Sequence, residues 1–201
     1  VFVTSKIVKP FERTPVFRFI SRIFDAINAF FQMLFMPEIS RKGTEAEAFV
    51  DEELFPDTHY EIMHRTVDYH TNKWRRVRDS LLPDFRFRDK KTDNEFWLEV
   101  KYRSKWKGDE PDQYIDFLDE EYKLERYKKV DKELPVFIAF CTGHIAMSPE
   151  ESFLIPVRFI KMHDRIYRKY LESFQTHTEG QADNEDDISV PSAVLWKRLN
   201  Q

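Results

Sequence analysis

Glycine, cysteine and excess positive charge are all scarce in this chain, and each scarcity removes a class of function. Four glycines in 201 residues leave no material for a phosphate-cradling glycine loop, and no such loop occurs. A single cysteine, Cys141, excludes an intrachain disulfide and suits a reducing cytosol, so a cytoplasmic location is expected. The formal net charge of −4 provides no global attraction for nucleic acid, so any such site must be a local basic patch. The sequence shows no signal-peptide pattern.

Aromatic bulk and charge are abundant instead. Hydrophobic residues make up 41% of the chain, with 19 Phe, and charged residues make up 34%. That combination fits a folded core under a densely charged surface, and excludes a wholly disordered chain. We divide the sequence into an amphipathic helical arm (residues 1–40), a core (41–174), and an acidic linker with a C-terminal docking segment (175–201). In the arm, Val16, Phe17, Ile20, Ile23, Phe24, Ile27, Phe30, Phe31, Leu34 and Phe35 recur at three- and four-residue steps. Arg18, Arg22, Asp25 and Gln32 hold the opposite face and argue against a membrane span. Packing on the rest of the fold or on a second copy is the favoured reading, with membrane-surface contact through residues 16–35 as the alternative.

Within the core a helix is expected from Thr44 to Leu54, with Thr44 capping it, Glu47 completing a capping box and Pro56 closing it. Residues 57–82 admit strand or loop. A β-hairpin follows: Phe85 and Phe87 alternate with Arg86 and Arg88, and Phe96, Leu98 and Val100 alternate with Trp97, Glu99 and Lys101. Residues 112–133 read as a charged helix burying Ile115, Leu118, Tyr122 or Leu124, and Tyr127. Residues 135–141 read as a strand covered on both faces, 153–160 as a strand broken by Pro156, and 157–174 as becoming helical.

The hairpin carries the chemistry. A four-residue turn at Lys90–Asp93 pairs Asp89 with Asn94 and sets Asp84 across from Glu99, where cross-strand Cβ atoms lie about 4.5–5.5 Å apart. Lys101 shares the face of Glu99 because side chains alternate along a strand. Two adjacent carboxylates repel, and a divalent cation removes the conflict. Hard oxygen ligands favour Mg2+, with Mn2+ as the alternative. Such a site suits phosphodiester hydrolysis, which needs a Lewis acid, an aligned nucleophile and positive charge.

Pro83-Asp84, fourteen residues and then Glu99-Val100-Lys101 on an apolar strand resembles the signature of the PD-(D/E)XK nuclease superfamily. That superfamily includes many restriction endonucleases, archaeal Holliday-junction resolvases and DNA-repair nucleases. Gly43-Thr44-Glu45-Ala46-Glu47 matches the family's helix with a Glu four residues after a Gly. Lys123-Leu124-Glu125-Arg126-Tyr127 keeps the Tyr of a Gln-x-x-x-Tyr motif found in several branches but puts Lys123 where the Gln belongs, which puts that motif's usual role in doubt. The resemblance covers roughly half of the chain and implies an α/β fold with a restriction-endonuclease-like core. That core is a central mixed sheet of about four or five strands flanked by helices. It further implies a metal-dependent DNA endonuclease in which Asp84, Glu99 and the Val100 carbonyl bind metal, Lys101 positions the attacking water and Glu47 supports the metal. Cutting both strands of a duplex implies a homodimer.

Competing readings accompany each residue. Glu99 and Lys101 fit the solvated face of an edge strand, and Glu47 fits a plain capping residue, with Glu45 as a rival acid. Asp89 and Asp93 read as solvated turn residues. The basic stretches Lys73, Arg75, Arg76, Arg78 and Arg103, Lys105, Trp106, Lys107 fit either a grip on a phosphate backbone or an ordinary charged surface. The rival function is a nuclease-like module that no longer cuts and assembles through its aromatic N-terminal helix.

Overall fold

The computed structural model describes residues 38–66, 82–118, 121–178 and 188–200. Lys42 onward forms one compact unit. The helix expected over 16–35 and the basic residues Lys73, Arg75, Arg76 and Arg78 lie outside the described residues.

The described elements are helix α1 (Glu38–Phe49), strands β1 (Tyr60–Arg65), β2 (Phe85–Asp89), β3 (Glu95–Arg103) and β4 (Tyr114–Asp116), helix α2 (Glu121–Val130), strands β5 (Val136–Thr142), β6 (Glu151–Pro156) and β7 (Arg165–Tyr167), helix α3 (Arg168–Leu171), strand β8 (Gln175–Thr178) and helix α4 (Ser192–Lys197). Six strands form one mixed sheet in the order β1-β2-β3-β5-β6-β8, and β4 pairs with β7 in a small second sheet. β3 and β5 run parallel, and the other pairings of the main sheet are antiparallel. This is the expected α/β class, with six strands in place of four or five because β1 and β8 add the two edges.

Both faces of the sheet are covered, which explains why all seven residues of β5 are buried. On one face Ala46 and Phe49 of α1, followed by Val50, Leu54 and Phe55, pack on Phe85, Phe87, Phe96, Leu98, Phe137 and Cys141. On the other, Leu124 and Tyr127 of α2 pack with Ile115 and Phe117 on Trp97, Val136, Ile138, Phe140 and Phe153. Cys141 is fully buried, and burial pushes its thiol up to about 12. The C-terminal residues close the first face: Val190 N–H donates to Leu54 O at 2.9 Å, and Tyr60 Oη donates to Val190 O at 2.6 Å. Arg198 is buried and donates to the carbonyls of Leu154, Phe174 and Gln175.

Three sequence expectations change, and one left open between Tyr122 and Leu124 is resolved. α1 begins at Glu38, six residues before Thr44, so Thr44 sits mid-helix and the capping box does not form. Residues 112–133 split into strand β4 and helix α2, because Ile115 pairs with Ile166 across the small sheet. Leu124 rather than Tyr122 faces the core. Residues 157–174 break into a 3-10 turn, strand β7 and short α3, since the same pairing competes with continuous helix. Among the described residues no helix is long and apolar enough to cross a membrane.

Candidate active site

The hairpin register follows from the turn. Arg88 pairs with Glu95 and Phe85 with Leu98, and Asp89 N–H donates to Asn94 O at 2.9 Å. Lys90–Asp93 is thus a four-residue turn, and Asp93 adopts φ 59 at its end. Asn and Asp are the side chains that tolerate this left-handed conformation best. One further step of the same register sets Asp84 across from Glu99. The Asp84 backbone is held in turn by Thr66, whose N–H donates to Asp84 O at 2.8 Å. Thr66 Oγ1 also donates to Pro83 O at 2.7 Å.

Alternation along β3 sends Trp97, Glu99 and Lys101 to the α2 side of the sheet, while Leu98 and Val100 join the α1 side. The Val100 N–H donates to Asp84 Oδ2 at 2.7 Å. Lys101 Nζ donates to Glu99 Oε1. Tyr127 of α2 is 3% exposed, and its hydroxyl faces Glu99, whose charge acts on it. Glu47 lies within charge range of Asp84. One patch therefore joins residues from α1, the approach to β2, strand β3 and α2. Lys123, one turn before Tyr127, is half-buried.

Glu99 is 4% exposed, so the solvated-edge reading of this strand does not hold. Burial, reinforced by the charges of Glu99 and Glu47, pushes the Asp84 carboxyl well above the ordinary carboxylate range, with Lys101 and the Val100 N–H opposing. Burial alone would depress the Lys101 ammonium, but Glu99 and Asp84 outweigh it and hold it above its ordinary value. Burial and the Glu99 contact likewise raise the Tyr127 hydroxyl, which stays protonated and serves as a donor. Among the described residues, no group of three or more His, Cys, Asp or Glu side chains is arranged around a common metal position.

The second basic stretch lies further along. Arg103 turns its guanidinium to the carbonyls of Tyr102 (2.8 Å) and Phe117 (2.9 Å). Lys105 is exposed, and Lys107 pairs with Asp116. Trp106 Nε1 donates to Glu151 Oε2 at 2.8 Å, and Arg168 stacks 5.3 Å from the Trp106 ring. Sequence reasoning missed Glu151 and Arg168, which come from distant segments and carry no local motif. It also misread Asp89. This acid is 1% exposed, not solvated, and accepts Ser192 Oγ (2.5 Å), Trp196 Nε1 (2.6 Å), Thr92 Oγ1 (2.8 Å) and Lys91 N–H (2.9 Å). The two donors from α4 were not foreseeable from the turn itself.

No family model and no curated protein matches the chain. Among solved structures the chain is similar to Hjc, a Holliday junction resolvase from the archaeal hyperthermophile Archaeoglobus fulgidus. Identity is 14%, the likeness covers 66% of this chain and 88% of that one, and the TM-score is 0.43.

Proposed function

We propose that the protein is a divalent-metal-dependent nuclease that hydrolyses DNA phosphodiester bonds, with Asp84, Glu99 and Lys101 at the reacting centre. The observation that carries this reading is the crowding of acids around Lys101, whose side chain is 22% exposed. Glu99 and Glu47 both lie within charge range of Asp84, and burial together with their charges pushes the Asp84 carboxyl up. A divalent cation relieves that repulsion, and an all-oxygen donor set suits Mg2+ or Mn2+. A strand residue sends its N–H and C=O toward the same neighbour. The Val100 N–H meets Asp84, so its carbonyl leaves the strand on the Asp84 side and can complete the set. Two carboxylates and a carbonyl leave positions for water and a substrate phosphate, as Mg2+ requires. When bound, such an ion supplies a Lewis acid and lowers the pKa of its water.

The remaining chemistry belongs to the chain. Glu99 and Asp84 favour the charged form of Lys101, which suits it as a hydrogen-bond donor and positive charge toward the phosphoryl oxygens and the attacking water. Glu99 holds Lys101 by a direct hydrogen bond, and Tyr127 orients Glu99 in turn. Glu47 adds negative charge beside Asp84 and strengthens the hold on the ion. DNA as the substrate, and endonucleolytic cutting, rest on the sequence resemblance around Pro83-Asp84 and Glu99-Val100-Lys101.

The test is cleavage of supercoiled plasmid, linear duplex and single-stranded DNA with Mg2+ or Mn2+, with Lys101→Ala and Asp84→Ala alongside. Wild type should cut only with metal, and each variant should lose at least about 100-fold in rate while keeping its circular-dichroism spectrum. Cutting by either variant at the wild-type rate overturns the reading. So does an inert wild type that also binds neither metal by calorimetry.

A further inference from the structure

Beyond the carboxyl ends of β3 and β5 the surface opens into a cleft of about 410 Å3 whose lining includes Ser104, Lys105, Trp106, Glu150, Glu151 and Arg168. Its location is informative. Arg103 of β3 pairs with Thr142 of β5 in the parallel register, and the cleft begins with the next residues of both strands. Clefts outside the carboxyl ends of strands are the usual ligand positions in α/β sheets. Thr142 alternates with Phe140 and Ile138, so it faces the same layer as Glu99 and Lys101. Lys105 follows Lys101 by four residues, which span at most about 13 Å even fully extended. At about 3.4 Å per stacked nucleotide, the cleft lies at most about four nucleotides from the reacting centre.

The inner wall of the cleft is already tied together. The Glu151 carboxylate accepts Arg168 Nη2 at 2.7 Å, Trp106 Nε1 at 2.8 Å and Thr142 Oγ1 at 3.3 Å. Arg168 Nη1 donates to Gln113 Oε1 at 2.8 Å. At the rim, Gly143 has φ +136, and a Cβ there would lie 2.6 Å from Glu150 N, so only glycine lets the β5–β6 loop close. That closure carries Glu150 to the cleft, where its Oε1 accepts the His144 N–H at 3.2 Å.

What remains for a ligand is mixed in character. Lys105 is exposed, with no hydrogen bond or ion pair among the described residues, and Ser104 is exposed beside it. Lys105 and Arg168 balance Glu150 and Glu151, so a bare anion gains little here. A nucleotide suits the cleft better: Lys105 meets its phosphate, while the hydroxyl and carboxylate groups meet sugar and base. The volume falls within the roughly 300–1,000 Å3 range of small-ligand pockets. We propose that this cleft is a nucleotide subsite seating a nucleotide of the substrate strand that flanks the scissile bond, with Lys105 on its phosphate. This rests on the nuclease reading, since it makes the occupant part of the same DNA strand.

The test uses the full chain without divalent metal, so that binding is read apart from cutting. Thymidine 5′-monophosphate is titrated against isotope-labelled protein, and a labelled oligothymidylate is titrated by fluorescence anisotropy over a range of salt. The expected result is shifts of the Trp106 indole N–H and the Gly143 amide by the nucleotide but not by inorganic phosphate. Lys105→Ala should lower the slope of log affinity against log salt by about one. Equal shifts with inorganic phosphate, or none in the cleft, overturn the subsite. So does an unchanged salt slope in Lys105→Ala. If the subsite fails while metal-dependent cutting persists, the nuclease reading stands. Cleft shifts in a protein that neither cuts nor binds metal instead separate the cleft from any nuclease.

Discussion

Asp84 accepts the Val100 N–H at 2.7 Å, so the acid preceding β2 is fastened to the strand that carries Glu99 and Lys101. A side chain at the entry to one strand and a backbone group on its neighbour thus set the spacing of the site. The bond also favours the ionised form of Asp84, yet burial and the neighbouring acids outweigh it. The arrangement keeps a carboxyl group where its charged form is costly.

Asp84→Asn should therefore raise the stability of the metal-free protein at pH 7, because the amide keeps an acceptor for Val100 and removes the charge. The folded pKa of Asp84 lies above the unfolded value of 3.8, so the folded state holds its proton more tightly. Wild-type stability then falls as pH rises from 3.8 through the folded pKa, and the variant's advantage shrinks as pH falls toward 4. Calorimetric Tm values at several pH values check this. Mg2+ at about 100 times its Kd should add roughly 2.7 kcal/mol to wild type and far less to the variant. A variant less stable than wild type at pH 7 without metal contradicts the account.

Tyr127→Phe removes the hydroxyl that faces Glu99 and leaves the ring in the core. On the proposed reading Glu99 holds the ion, and loss of a group that orients such a ligand costs about 10–100-fold in activity or metal affinity. Steady-state kinetics on plasmid DNA should show kcat falling by that order with KM little changed. Unchanged kcat would mean that Lys101 alone positions Glu99.

Asp89→Ala strands the hydroxyl of Ser192 and the indole N–H of Trp196, both of which donate to this buried acid. Each donor left unsatisfied costs about 1–3 kcal/mol, so urea unfolding at pH 7 should show a loss of about 2–6 kcal/mol. Burial would raise the Asp89 pKa, but the Ser192 and Trp196 donors with Lys91 and Thr92 hold it below 3.8. Its contribution is present above pH 3.8 and is lost as pH falls through the folded value. A wild-type-like midpoint in Asp89→Ala would show that α4 is held by its apolar contacts alone.

The opposition of Asp84 and Glu99 was legible in the sequence because it follows from counting. A period of two and a four-residue turn leave one register, which the Phe85–Leu98 pair displays. That Glu99 and Lys101 share a face of β3 with Asp84 beside them was legible for the same reason. Asp89 defeated that logic. By turn position it is solvated, and it is buried only because Ser192 and Trp196 arrive from more than 100 residues away. The half-helical pattern around Ile115 misled in a similar way, since its partner Ile166 lies across a second sheet.

Local pattern thus determined the strand faces, the hairpin register and the acids and lysine that share a strand pair, because those depend on near neighbours along the chain. Tertiary structure decided which of them are buried, that Tyr127 reaches Glu99, that Glu47 approaches Asp84, and that Lys105 borders a cleft built on Glu151 and Arg168. Those outcomes depend on which distant segments cover each face of the sheet, and desolvation, the largest influence on Asp84, Lys101 and Tyr127, exists only once that cover is in place.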